Sequence, residues 1–153
     1  MSARVGIGYD AHRFAAGRRL VLGGMEIPHD RGLEGHSDAD VLTHAVIDAI
    51  LGASGQGDLG TLFPPEEDRW RDAHSLDLLT VALGRLQGRV VNVDATLICE
   101  EPRIGPYRAE MERNIAQGLS AVVSVKASTN EGMGWVGRGE GIACVAVALV
   151  ELD

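Results

Sequence analysis

"VNVDATLIC", residues 91–99, sets Val91, Val93, Ala95, Leu97 and Cys99 in alternation with Asn92, Asp94 and Thr96. A period of two puts these sets on opposite faces of a strand, one buried and one half-solvated. Its flanks have a different period. Upstream, Ser75 to Gln87 carries Leu76, Leu79, Leu83 and Leu86 on one helical stripe, with Gly88 as a C-terminal stop. Downstream, Pro106 can sit in the first turn of a helix whose Tyr107, Met111, Ile115 and Leu119 recur every four residues. Two strands follow, Val122 to Ala127 and Ile142 to Leu152. The second is apolar on nearly both faces, so it is central or covered on both sides.

Toward the N-terminus, Val5 to Tyr9 reads as a strand and "RLVLGGMEI" as a hairpin turning at Gly23-Gly24. A helix opens near "HSDAD", capped by Ser37 or Asp38, and continues through Leu42, Ala45, Val46, Ala49, Ile50 and Ala53. His44 and Asp48 fall on its other side. Strands and helices in this order predict an α+β fold, a mixed β-sheet with helices packed on one face, within a single domain spanning residues 1–153. The other sheet face then needs cover, and a partner subunit in a homo-oligomer would supply it.

The 153 residues suffice to bury roughly two-thirds of the unfolded surface. With 45% hydrophobic but only 4% aromatic residues, the core is built from aliphatic side chains. A net charge of -8 disfavours nucleic acid and anionic membrane as partners, so an anionic ligand needs metal or local cations. Cys99 and Cys144 sit in apolar runs and read as buried free thiols. The first residues lack the apolar core of a signal peptide, and no apolar run is long enough to cross a bilayer, so the expected location is cytoplasmic.

Chemistry concentrates in three stretches. In "VGIGYDAHRF", residues 5–14, Asp10 and His12 stand two apart and so project to one side of a strand. Such a pair can be merely solvated, but His44 is free to meet the strand end. One oxygen and two nitrogens suit Zn²⁺ with a fourth position open to substrate. In "KASTNEGMGWVGRGEG", residues 126–141, glycines let backbone N–H groups approach an anion, Ser128 and Thr129 can donate to phosphate, and Glu131 can hold Mg²⁺. The plainer reading is a glycine-rich connection with a solvated Glu. "GQGDLGTLFP", residues 55–64, offers Asp58, which can equally bond local backbone.

Together, "GIGYDAHRF", "LGGMEIP", "GLEGHSDADVLTHAVIDAILGA", "GDLGTLFP" and "VSVKASTNEGMGWVGRGEGIAC" resemble the 2-C-methyl-D-erythritol 2,4-cyclodiphosphate synthase family of the non-mevalonate isoprenoid pathway, over nearly the whole chain. The resemblance implies a homotrimer with active sites between subunits and the uncovered sheet face toward the trimer core. It implies zinc on Asp10, His12 and His44, and Mg²⁺ or Mn²⁺ placed by Glu131. His36 and Thr129 would align phosphates and stabilise the transition state. Asp58, Gly60, His36 and Ser37 match the erythritol half, and Cys99 to Gly105, including Pro102, Arg103 and Ile104, the cytidine pocket. Phe63, Glu67, Ser128, Asn130, Trp135 and Arg138 complete the implied binding set.

The implied substrate is 4-diphosphocytidyl-2-C-methyl-D-erythritol 2-phosphate, closed to a cyclic diphosphate with release of CMP. Three positions depart from the family pattern: Pro65 in "FPPEED" and His74 in "AHS" stand where Asp is expected, and Asn130 where Thr is frequent. The first two lie in a segment matching a mobile loop over the erythritol, where Glu66, Glu67 or His74 can replace contacts. Trp135, Arg138 and Glu140 match residues near the trimer axis that can hold an isoprenoid diphosphate; a packed aromatic beside an interface ion pair explains them equally. Two rivals share these residues: a zinc-dependent phosphohydrolase, and a trimeric nucleotide-sensing module without turnover.

Overall fold

The computed structural model describes residues 1–153. From the N-terminus run a long strand β1 (Ser2–Ala15), the hairpin β2 (Leu20–Leu22) and β3 (Met25–Ile27), and a short β4 (Gly32–Leu33). Helix α1 (Val41–Ala53), one-turn α2 (Leu59–Leu62) and α3 (Ser75–Leu83) lead into β5 (Gly88–Ile98). Then come α4 (Arg108–Leu119), β6 (Val122–Ser128), one-turn α5 (Gly134–Gly137) and β7 (Gly141–Leu152). Five strands form a mixed sheet in the order β4-β1-β7-β5-β6, with only β5 and β6 parallel. As its two apolar faces predict, β7 is central. The β2–β3 hairpin turns at Gly23-Gly24 as read from the sequence.

The glycines of "GIG" decide how the helix meets the sheet. Gly6 and Gly8 face α1, where an added Cβ would lie 1.9 Å from the carbonyl oxygens of Ala49 and Ala45 respectively. Only glycine permits that approach. Below the helix, β7 presents Ile142, Cys144, Ala146, Ala148 and Val150, all buried. Eleven of the thirteen α1 residues are buried, His44 among them, so α1 is a central helix and not one with a polar outer side. The core is one contiguous apolar cluster, and both cysteines lie buried as free thiols.

Four boundaries differ from expectation. β1 continues past Tyr9 because β7 pairs with it as far as Arg13, so Asp10 and His12 lie within a strand. Asp40 caps α1, in place of Ser37 or Asp38, by accepting the Thr43 N–H. α3 ends at Leu83 with Gly84 as its cap; Gly88, with φ 150°, instead begins β5. Its buried residues are Ser75, Leu78, Leu79 and Ala82, while Leu76, Leu83 and Leu86 are only partly covered. A register shift between Val90 and Asn92 displaces Val91, and the buried face of β5 is Val90, Val93, Ala95 and Leu97.

The sheet face away from the helices is uneven. Val5, Ile7, Tyr9 and Val147 are exposed on β1 and β7, with Ile7 directly opposite Val147. On β5 and β6 the same face is mostly polar, with Val122 as its exposed apolar exception, and carries the Lys126–Asp94 pair at 2.8 Å.

Candidate active site

Asp10 and His12 follow Gly6 and Gly8 on the α1 side of β1, and His44 lies in the first turn of α1. Asp10 Oδ2 is 3.1 Å from His12 Nε2 and 3.1 Å from His44 Nδ1. The three ligand atoms all lie within 4.8 Å of one another. Bonds of about 2.0–2.1 Å in a tetrahedral zinc site put ligand atoms about 3.3 Å apart, a spacing that Asp10 already has to both imidazoles.

The second ring nitrogen of His44 supports the fit. Its Nε2 is 3.0 Å from the buried Ser37 Oγ and 4.0 Å from Asp38 Oδ1. A lone pair on Nδ1 toward a metal puts the proton on Nε2, where it donates to Ser37. Gly35 backs the other imidazole: a Cβ there would fall 2.9 Å from His12 Cε1. Burial opposes charge on Asp10, but hydrogen bonds from His12 and His44 and their positive charge hold its carboxyl below the usual range. Burial likewise opposes charge on His44, yet Asp10, Asp40 and Asp38 outweigh it and raise the imidazole above its ordinary value.

A second carboxylate organises the scaffold. Asp40, fully buried, accepts the N–H groups of Gly23, Gly24 and Thr43 and the hydroxyls of Thr43 and Ser75, at 2.7 to 3.0 Å. It joins the hairpin, α1 and α3 beside the metal group. Asp38 accepts the N–H groups of Asp40 and Ser75, and burial with the nearby Asp40 charge pushes its carboxyl upward. Ser37 carries its hydroxyl inward, and His36 is exposed, its carbonyl accepting the Asp72 N–H at 2.9 Å.

One helical turn beyond His44, Asp48 accepts the Leu59 N–H at 2.6 Å and ties α2 to α1. Asp58 caps α2 by accepting from Thr61 N and Thr61 Oγ1, both 2.8 Å, so the local-backbone reading of Asp58 describes its bonding. Those bonds lower its carboxyl, and Asp58 and Gly60 both remain exposed. The loop beyond is bonded to itself: Phe63 meets Trp70 edge to face at 4.8 Å, and Glu67 Oε2 accepts from Arg69 Nε and Trp70 Nε1. His74, exposed at the N-cap of α3, makes no capping bond; Asp38 meets Ser75 instead.

Cys99, Pro102, Arg103, Ile104 and Gly105 line a cavity of about 510 Å³ together with Ser128 and Thr129. Burial pushes the Cys99 thiol up to about 11. Across the cavity mouth, Ser128 Oγ donates to the Thr129 carbonyl, Asn130 Nδ2 to the Met133 carbonyl, and the Glu131 N–H to Thr129 Oγ1. The free backbone donors expected from the glycine-rich stretch are partly engaged: Asn130 and Gly132 give their N–H groups to Glu100. Arg138 pairs with Glu140 at 2.8 Å, and Trp135 lines a small recess with His12, Arg13 and Glu140.

Both clusters lie at one edge of the sheet, since His12 is level with Ile142, and Ile98 with Ala143 and Ser128. Only β7 lies between β1 and β5, whose end runs into the cavity wall, and β6 supplies the far wall, so the clusters are two to three strand spacings apart, about 10–14 Å. One chain thus brings the metal group and the cavity to the same edge without joining them. Asp40, Asp48 and Glu100 were not singled out from sequence. For Asp40 there was a signal, an Asp-x-x-Thr before an apolar run; for Glu100 there was none, because its partners are 30 and 32 residues away.

An α+β sheet protein with an Asp-His-His metal-type group and a polar cavity at one sheet edge is thereby defined. Residues 3–151 match the YgbB family model. The 2-C-methyl-D-erythritol 2,4-cyclodiphosphate synthase of Symbiobacterium thermophilum is 57% identical over 152 residues, covering 95% of this chain and 97% of that protein. The bifunctional IspDF of Campylobacter jejuni superposes with a TM-score of 0.93 at 37% identity, over 99% of this chain but only 43% of that longer one. A 2C-methyl-D-erythritol-2,4-cyclodiphosphate synthase in its CDP-bound form superposes with a TM-score of 0.87 at 32% identity, over 97% of this chain and all of the other. The chain belongs to the YgbB family of cyclodiphosphate synthases, enzymes that act as phosphorus–oxygen lyases.

Proposed function

We propose that the protein converts 4-diphosphocytidyl-2-C-methyl-D-erythritol 2-phosphate to 2-C-methyl-D-erythritol 2,4-cyclodiphosphate and CMP, in the non-mevalonate isoprenoid pathway. The observation that carries this reading is the convergence of Asp10, His12 and His44 at the same sheet edge as the cavity of Cys99 to Gly105. An oxygen of the substrate's 2-phosphate attacks the β-phosphorus, and the bond from that phosphorus to the oxygen of the cytidine-bearing phosphate breaks. CMP leaves with that oxygen and both bonding electrons. A phosphate monoester, with a second pKa of about 6, is already largely dianionic at neutral pH, so the chain need not supply a strong base.

Asp10, His12 and His44 would hold zinc, and Glu131 would place Mg²⁺ or Mn²⁺ against the diphosphate. Divalent cations held by these residues would offset the repulsion between the approaching phosphate anions. His36 and Thr129 align the phosphates, Asp58 and Gly60 hold the erythritol hydroxyls, and Ser37 fixes His44 behind the metal. Cys99, Pro102, Arg103, Ile104 and Gly105 take the cytidine. Positioning both substrate ends this way can contribute several kcal/mol to lowering the barrier.

The separation of about 10–14 Å between clusters favours a site shared between neighbouring subunits. Exposed Val5, Ile7, Tyr9 and Val147 favour a trimer that covers this face. Arg138 pairs with Glu140 within the chain at 2.8 Å, and both the packed aromatic beside an ion pair and the isoprenoid diphosphate site remain readings of Trp135 and Arg138. No helix is long and apolar enough to cross a membrane.

The rival is a zinc phosphohydrolase, which would use the same ligands but deliver water. A reaction in heavy-oxygen water separates them: a cyclase yields CMP and a cyclic product that both lack solvent oxygen. Solvent oxygen in the main product would overturn the cyclase and establish the hydrolase.

A further inference from the structure

We propose that Glu100 is a positioning residue that couples the nucleotide cavity to the loop carrying Thr129 and Glu131. The inference rests on the reaction proposed above for its kinetic consequence, but its structural part stands without it.

Glu100 follows β5 and sits between Cys99 and Pro102, inside the wall of the 510 Å³ cavity. Its carboxylate reaches across to the next strand's exit. Oε2 accepts the N–H of Asn130 and Oε1 that of Gly132, both at 2.8 Å. Between them the Glu131 N–H turns to Thr129 Oγ1 at 3.2 Å, and Glu131 takes a left-handed backbone with φ 54°. Consecutive N–H groups converging in this way form a concave anion-binding turn. Here that turn is filled by the chain's own carboxylate and cannot also receive a substrate phosphate.

The left-handed conformation of a non-glycine residue is sparsely populated and persists only where its surroundings hold it. Two charge-assisted hydrogen bonds on either side of Glu131 supply that hold. The direction of the Glu131 side chain, and of Thr129 through its own oxygen, thus depends on Glu100. Glu100 in turn moves with Cys99 to Gly105, whose Cys99 N–H also bonds the Ser128 carbonyl at 3.0 Å. Ordering the cavity wall by a cytidine nucleotide therefore orders the loop.

The test compares Glu100→Ala and Glu100→Gln in the intact assembly, measuring kcat, KM, the Mg²⁺ concentration for half-activity, and amide hydrogen exchange of residues 128–134. Removing the clamp should lower kcat roughly 10- to 100-fold, since displacements of about 1 Å at a catalytic group cost on that order. KM should change less than kcat, more Mg²⁺ should be needed, and exchange of the segment should speed up. Glutamine keeps one acceptor oxygen and turns an N–H₂ toward the other amide, so Glu100→Gln should fall between wild type and alanine in every readout. CDP should slow exchange of residues 128–134 in the wild type and not in Glu100→Ala. Unchanged kcat and exchange in a folded Glu100→Ala protein would overturn the coupling. So would a loss that matches a fall in melting temperature and is not partly restored by glutamine. If the wild type makes no cyclic diphosphate, the reaction assignment fails by itself, and the exchange and CDP measurements still decide the clamp.

Discussion

Gly8→Ala should disable the metal group through a position that touches no ligand. The new Cβ would stand 1.9 Å from the Ala45 carbonyl oxygen, 2.7 Å from the Ala49 nitrogen and 2.9 Å from the Ala45 carbonyl carbon. These are backbone atoms of a buried helix and cannot rotate away. An ordinary contact of 3.4 Å requires α1 to lift off β1 by about 1.5 Å. Overpacking of this kind costs about 1–3 kcal/mol and occasionally more. His44 rides on α1 and Asp10 on β1, so the same lift opens their 3.1 Å contact well beyond the roughly 0.2 Å that metal-site geometry tolerates. Zinc affinity should fall at least 100-fold, read by competition with a chromophoric chelator, with a lowered melting temperature in the metal-free protein. Gly52→Ala is the control: its Cβ would have nothing nearer than 3.8 Å, and an exposed helical Gly-to-Ala change gains about 0.5–1 kcal/mol. A folded Gly8→Ala protein with wild-type melting and zinc affinity would refute the claim that helix approach sets the site.

Ser37→Ala removes the acceptor of the His44 Nε2 proton while leaving every proposed metal ligand in place; zinc affinity should drop about 10- to 100-fold, as for other supporting partners of metal-bound histidines, and an unchanged affinity would refute the orienting role. The zinc-induced rise in melting temperature should grow with pH. His44 is raised above its ordinary 6.5, so its imidazolium stabilises the metal-free fold fully below 6.5 and loses that contribution as pH rises through the higher folded value. Asp10 is lowered and stays ionised throughout this range, so zinc has to displace protons from imidazole, that of His44 included. Melting with and without zinc between pH 5.5 and 8 should show a small increment at the acid end and a large one at the other; a flat increment would refute it.

The parts of the fold legible in sequence were those where one periodic pattern met one environment. The alternation in β5 and the doubly apolar β7 could not be read otherwise, and Met111, Ile115 and Leu119 mark the buried stripe of α4. Where tertiary contacts chose among local equals, sequence was silent. "HSDAD" offers three capping side chains within four residues; Asp40 wins because Gly23, Gly24 and Ser75 also converge on it. Leu86 keeps the helical period although α3 has ended, because its side chain still packs on the core as the chain turns toward β5. The three metal-type ligands were legible because two share a strand face and the third is a histidine in the first turn of the next long helix. Their supports were not: Gly6, Gly8 and Gly35 are defined by what would collide with a side chain, which no spacing reveals.

A chain with a net charge of -8 that is to hold the proposed triply phosphorylated substrate faces a repulsion problem, and the bonding of its carboxylates shows how the site limits it. Asp38, Asp40, Asp48, Asp58, Glu100 and Glu112 each accept backbone N–H groups, Glu112 reaching that of Val125 on the edge strand β6. A carboxylate facing amide dipoles projects less field than a solvated one, because the donors' positive ends sit against it. Asp10 is compensated by two imidazoles. Glu131 differs: its backbone is fixed on both sides while its side chain is exposed and makes no hydrogen bond or ion pair. Local negative charge is therefore left where a divalent cation would be wanted, while the six carboxylates bonded to backbone amides are absorbed into the scaffold. Replacing any of the absorbed acids other than Asp58, which also faces the proposed erythritol site, should thus act through folding or positioning, whereas replacing Glu131 should act on cation dependence.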